Sequence, residues 1–94
     1  MQAPETIDAE ELCLACRITV TELREIVAYG APAPLREEPA LVFAAEWLMP
    51  LRQAARLRDQ YDLDLFAVSL LAEHLRRIDT LEAELRALRA QLRR

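Results

Sequence analysis

Ninety-four residues limit this chain to one small domain, near the lower bound at which a single apolar core keeps a chain folded. An apolar fraction of 53% is too high for a disordered tail. The formal net charge of −4 is unevenly placed, with nine acids against three Arg in residues 1–46 and seven acids against nine Arg in residues 47–94. A net-negative front half is poorly suited to nucleic acid, whose binding rests on neutralised phosphates, and better suited to a basic protein partner.

A single Gly amid many Ala, Leu, Glu and Arg points to helices. No basic leader precedes an apolar run at the start, so no signal peptide is expected. The longest apolar run, Leu65–Ala72 broken by Ser69, is too short to cross a bilayer. A cytoplasmic protein is therefore expected, with Cys13 and Cys16 as free thiols.

Residues 1–6 read as an irregular end. Two copies of one local pattern come next. In "IDAEEL", Asp8 is an N-cap, Glu11 its capping-box partner, and Ile7 with Leu12 a hydrophobic staple. In "ITVTEL", Thr19, Glu22, Ile18 and Leu23 repeat those roles. Each box satisfies backbone N–H groups that a helix start leaves unpaired. Starts eleven residues apart predict a helix over about 9–15, a tight turn and a second helix over about 20–29. Leu12, Ala15, Leu23, Ile26 and Val27 are the expected shared seam, and Gly30 is placed to take a positive φ at the end of the second helix.

Pro32, Pro34 and Pro39 forbid a helix in "APAPLREEPALVF". Leu35–Glu38 and Ala40–Phe43 are two candidate extended arms of a small wing. Helical spacing resumes at Trp47, Leu51, Ala54, Ala55 and Leu57. Pro50 either kinks this third helix or marks its first turn. Asp62 or Asp64 caps a further helix. Beyond Leu65 no Gly or Pro occurs, so the remainder is one long helix or two joined near Asp79.

Ile78, Leu81, Leu85, Leu88 and Leu92 step by 3, 4, 3, 4. So narrow an apolar stripe calls for a partner, which makes this a candidate dimerising coiled coil of about two heptads; the alternative is packing against its own domain. A parallel pair matches Arg77 with Glu82 and Glu84 with Arg89 across the seam. An antiparallel pair still matches Glu82 with Arg89, so charge leaves the orientation open. Residues 1–64 are thus expected to form the helix-turn-helix core and 65–94 the dimerising segment, within one compact unit.

Little here supports catalysis. The Cys13-x-x-Cys16 pair lacks the further ligands that a zinc site needs, and His74, the one histidine, lies in a distant helix, so both cysteines read as buried or half-buried structural thiols. No phosphate-binding Gly loop or nucleophile elbow occurs. Carboxylate pairs such as Glu10/Glu11, Glu37/Glu38 and Asp62/Asp64 read as solvated faces and caps. No enzyme, metal or cofactor is expected. A DNA-reading second helix would expose Arg, Lys, Asn or Gln. Here its exposed candidates are Thr21, Glu22, Arg24, Glu25 and Ala28, the chain has no Lys, and Arg36 in the wing is offset by Glu37 and Glu38.

The order of these pieces resembles the MerR-type winged helix-turn-helix. "LCLACRITVTELREIVAYG", "LVF", "RQAARLRDQYDLDL" and "LEAELRALRAQL" look like the chaperone-modulator family CbpM, over about Leu12 to Leu92; "L-x-E-I-V-x-x-G" and the "R-L-R" before "L-D" are the most telling. The resemblance implies a mostly α fold with a small two-strand wing and a C-terminal dimerising helix. It also implies a small cytoplasmic homodimer. Such a protein would bind the J-domain of a CbpA/DnaJ-type co-chaperone, compete with DnaK for it and lessen that co-chaperone's DNA binding. The implied J-domain surface is basic, so Glu10, Glu11, Glu22 and Glu25 are the candidate binding residues, with Arg24 for an acidic group. Two departures stand out: Cys16-Arg17 replaces the Gly usual in the turn, and Pro50 interrupts helix three. The alternative is a MerR-like DNA-binding transcriptional regulator, with Thr21, Arg24, Arg36, Arg52, Arg56 and Arg58 at the duplex. A redox or metal sensor at Cys13 and Cys16 is a third, weaker alternative.

Overall fold

The computed structural model describes residues 5–93. Strand β1 (Thr6–Asp8) leads into α1 (Ala9–Cys16) and α2 (Val20–Ala28). After a proline-containing loop come β2 (Val42–Ala44), a 3₁₀ turn (Ala45–Trp47), α3 (Leu48–Tyr61) and α4 (Leu65–Leu92). The architecture is the expected one: mostly helical, with one small antiparallel sheet.

Both capping boxes form. Asp8 Oδ1 accepts from Glu11 N at 2.8 Å while Glu11 Oε1 accepts from Asp8 N at 3.3 Å. Thr19 Oγ1 accepts from Glu22 N at 3.0 Å, and Glu22 Oε1 from Thr19 N at 2.9 Å. The turn between the helices closes on Arg17, which takes the left-handed conformation (φ 57°, ψ 47°). The side chain there is strained by about 1 kcal/mol, a strain a Gly would relieve. Gly30 does adopt positive φ, at 123°.

Two local expectations are corrected. Ala15 is exposed, and the α1 seam is built instead by Leu12, Cys13 and Cys16. The period is helical and the thiols are buried as expected, but α1 is rotated so that Ala15 faces solvent. The second correction concerns the sheet. The wing arms form no strand pair: they meet at an isolated Arg36↔Val42 bridge, with Leu35 N also donating to Val42 O at 2.8 Å. β2 instead pairs antiparallel with β1, Ile7 opposite Phe43, so Thr6 belongs to a strand and not to an irregular end. Residues 1–4 lie outside the described region. Pro34 and Pro39 bound the first arm and keep its contact with Val42 from extending into a strand, whereas Thr6–Asp8 pairs over three residues.

Pro50 is the third residue of α3, where a missing N–H costs no intrahelical bond, and its ring is fully buried. It therefore belongs to the first turn of a helix that starts there. Asp62 closes α3 in a left-handed conformation (φ 55°), and Asp64 caps α4 by accepting from Ala67 N at 2.8 Å. The last helix is single and 28 residues long, about 42 Å at the usual rise.

The core joins Leu12, Leu23, Ile26, Phe43, Trp47, Leu51 and Ala54 with Val68 and Ala72 of α4. Trp47, Leu51, Ala54 and Ala55 are buried as the spacing suggests, whereas Leu57 is half-buried. The first turns of α4 are therefore part of the core. Small Ala54, Ala55 and Ala72 let α3 and α4 approach closely, and these two helices share the most extensive packing in the molecule. Buried Ser69 has a specific task. Its Oγ donates to Ala31 O at 2.7 Å and accepts from Ala31 N at 3.1 Å, satisfying loop backbone that enters the core without secondary structure. Arg76 pins α4 to the 3₁₀ turn, with its guanidinium 4.7 Å from the Trp47 ring centre and ion pairs to Glu73 (3.0 Å) and Glu46 (3.7 Å).

Candidate functional site

The face of a helix-turn-helix that meets a ligand is the solvent side of its second helix. On α2 that side shows Thr21, Arg24, Glu25 and Ala28, all exposed. Glu22 does not belong with them. It is half-buried and points toward α3. One carboxylate oxygen closes the capping box, and the other meets Arg58 Nη1 at 2.8 Å. The Thr19 N–H and then the Arg58 guanidinium hold its carboxyl below the usual range. With both oxygens engaged, Glu22 ties α2 to α3 across 36 positions of sequence; the expectation of an outward acid at this position is corrected to a structural one. Arg58 is equally occupied, which removes it from the cations free to meet a duplex.

Of the remaining candidates, Glu10 and Glu11 lie exposed in the first turn of α1, where the helix dipole favours negative charge. Glu11 gives one oxygen to its box. Glu25 accepts from the Tyr29 hydroxyl at 3.4 Å, and its negative charge raises the Tyr29 hydroxyl above its ordinary pKa. Arg24 is exposed, with no ion pair among the described residues.

Two surfaces were not assembled from the sequence. The first is cationic. Arg17, from the α1–α2 turn, lies with Arg52 and Arg56, one turn apart on α3, around a shallow cleft of about 200 Å³ floored by Cys16. Asp59 shares it, yet none of the three Arg has an ion pair among the described residues. The Arg52/Arg56 spacing was visible in the sequence, but bringing Arg17 beside them requires the fold. The second surface is aromatic. Tyr29, at the end of α2, meets Phe66 of α4 edge-on, with ring centres 5.5 Å apart and planes at 82°. Both rings are about half exposed. The signal available beforehand was an aromatic just after the Asp64 cap, on the side of α4 opposite Val68 and Ala72.

Both thiols are buried and free. Burial, and then the Glu22 charge, raises Cys13; burial, and then Cys13, pushes Cys16 up to about 11 despite Arg52 nearby. They therefore behave as small apolar side chains. Among the described residues no three or more His, Cys, Asp or Glu are grouped so that they could hold a metal ion. Along α4 every residue from Arg77 to Arg93 is exposed, and Ile78, Leu81, Leu85, Leu88 and Leu92 form one uncovered stripe, each at least 45% exposed. No helix of the described residues is long and apolar enough to cross a membrane.

Capped helix, left-handed turn, capped helix, short sheet and a long closing helix together make the arrangement that a family model described as MerR HTH family regulatory protein matches over residues 7–90. The chain belongs to this family. No curated protein matches it. In this domain Arg17 stands in the left-handed position that suits Gly, and the solvent side of the second helix carries one cation and one acid.

Proposed function

We propose that this MerR-family protein is a non-catalytic, cytoplasmic chaperone modulator. It binds the J-domain of a CbpA/DnaJ-type co-chaperone, competes there with DnaK and so restrains co-chaperone and DNA-binding activity. The observation that carries this is the charge on the helix-turn-helix. Its solvent sides present Glu10, Glu11 and Glu25 against Arg17 and Arg24, in a chain with no Lys and a net-negative front half. Carboxylates repel a phosphate backbone and attract a cationic helix. The proposed working form is a homodimer joined through the Ile78–Leu92 stripe, since so much exposed Leu on one line is costly in water. The direct test is DnaK ATPase turnover stimulated by such a co-chaperone. Added protein should suppress the stimulated rate and leave the basal rate unchanged. Undiminished stimulation at saturating protein contradicts the proposal.

A second function, DNA-binding regulation, is favoured by Arg17, Arg52 and Arg56, three unpaired cations close to the start of α2. Arg24 and Thr21 would add to that surface. A gel shift with random duplex at low salt separates the two functions, because three or four phosphate contacts give weak binding that salt removes.

A further inference from the structure

The cleft between the end of α2 and the first turns of α4 has a chemistry that neither the dimer stripe nor the helix-turn-helix face uses. It holds about 230 Å³, its floor made by Ala31 and Ser69 and its walls by Tyr29, Phe66, Leu70 and Glu73. Tyr29, Phe66 and Leu70 are each 48–52% exposed, an apolar patch of the kind that marks a contact surface. The patch is rimmed by acid. Glu25 bonds the Tyr29 hydroxyl, the Asp64 charge acts on the same hydroxyl, and Glu73 lines the far side. Among the described residues Glu25 and Asp64 have no Arg within ion-pair distance, while Glu73 is shared with Arg76.

Phe66 and Leu70, one turn apart, lie on the outward side of α4, and that line continues through His74 to Ile78, the first residue of the stripe. His74 is exposed and polar, so it parts the patch from the Ile78–Leu92 stripe. The stripe has the heptad spacing that suits a second copy. The patch is short, aromatic and acid-rimmed, which suits two turns of a helix bearing apolar anchors flanked by Lys or Arg. The stems of those residues would lie along Phe66 and Tyr29 while their heads reach the rim.

We propose that the Tyr29–Phe66–Leu70 cleft docks a cationic amphipathic helix of the protein partner. This rests on the function proposed above, for which it names the contact surface: the apolar side of the basic J-domain helix would occupy this cleft, with Glu25 on its rim, while the acids of α1 add to the attracting charge.

The test uses the full chain and an isolated J-domain. Phe66→Ala with Leu70→Ala should raise the dissociation constant at least about tenfold. Leu14→Ala, on exposed α1, should leave it unchanged, with circular dichroism confirming the fold of both. Unchanged binding by the double variant overturns the cleft and leaves J-domain binding standing. If the wild type ignores the J-domain, the cleft is tested with a synthetic Leu/Lys helical peptide and amide spectra. Movement of the Tyr29, Gly30, Phe66 and Leu70 signals keeps the cleft while the J-domain falls; no movement there overturns both. Concentration-dependent shifts of the Tyr29, Phe66 and Leu70 signals in the Leu81→Asp, Leu85→Asp variant, whose stripe cannot pair, with no partner present, place a second copy in the cleft and overturn the proposal.

Discussion

Removing the Glu22 carboxylate tests whether it fastens the helix-turn-helix to α3 or waits for a partner. Glu22→Ala loses the 2.9 Å bond from Thr19 N, which closes the capping box, and the 2.8 Å pair to Arg58. A lost cap contribution costs about 1 kcal/mol. A half-exposed ion pair adds about 0.2–1 kcal/mol. Together they come to about 1–2 kcal/mol, which for a domain this small lowers Tm by about 5–10 °C. Glu22→Gln keeps an acceptor for Thr19 N and loses only the charge, so it should cost under about 1 kcal/mol. Because the folded carboxyl is held below its ordinary 4.5, its stabilisation is full above that value and fades as pH falls through the depressed one. The stability gap between wild type and Glu22→Gln should therefore be widest near neutrality and close in acid. Urea denaturation at several pH values measures it. Glu22→Ala as stable as wild type, or a gap that widens in acid, refutes the structural role.

Three further outcomes are expected from the same geometry. Ser69→Ala leaves both the Ala31 N–H and C=O buried without a partner, and should cost about 2–6 kcal/mol by urea denaturation, since each orphaned group carries about 1–3 kcal/mol. Arg17→Gly relieves a left-handed side chain and should stabilise the fold by up to about 1 kcal/mol; if it also abolishes duplex binding in a gel shift, DNA regulation gains over chaperone modulation. Leu81→Asp with Leu85→Asp should convert a dimer to a monomer in sedimentation velocity while leaving helical circular dichroism nearly intact, because both side chains are exposed in the single chain.

What was legible in the sequence was local. Asp8–Glu11 and Thr19–Glu22 are i to i+3 patterns whose chemistry is complete within one turn, so the helix starts emerged correctly. The Gly30 turn is legible for the same reason, and the cap of α4 was legible as Asp62 or Asp64, with the fold deciding for Asp64. Pairing at a distance was not: nothing in Thr6–Asp8 announces Val42–Ala44 as its neighbour, and a three-residue strand has too little pattern to find one. The α1 period was right but its rotation was not, because Ala15 and Cys16 are both small and either fits a seam. Glu22 illustrates the limit for the site. Its role as a box partner could be read from Thr19, yet its second oxygen is settled by Arg58, a full domain fold away. The same holds for Arg17 beside Arg52 and Arg56, and for Tyr29 against Phe66.

The central claim is one of electrostatic sign, and fluorescence anisotropy tests it most directly, with labelled J-domain and labelled random duplex titrated separately with the same protein at low and moderate salt. The account predicts saturable binding of the J-domain that weakens as salt rises, and no more than faint duplex binding that vanishes with salt. Firm binding of the duplex, with the J-domain left free, contradicts it.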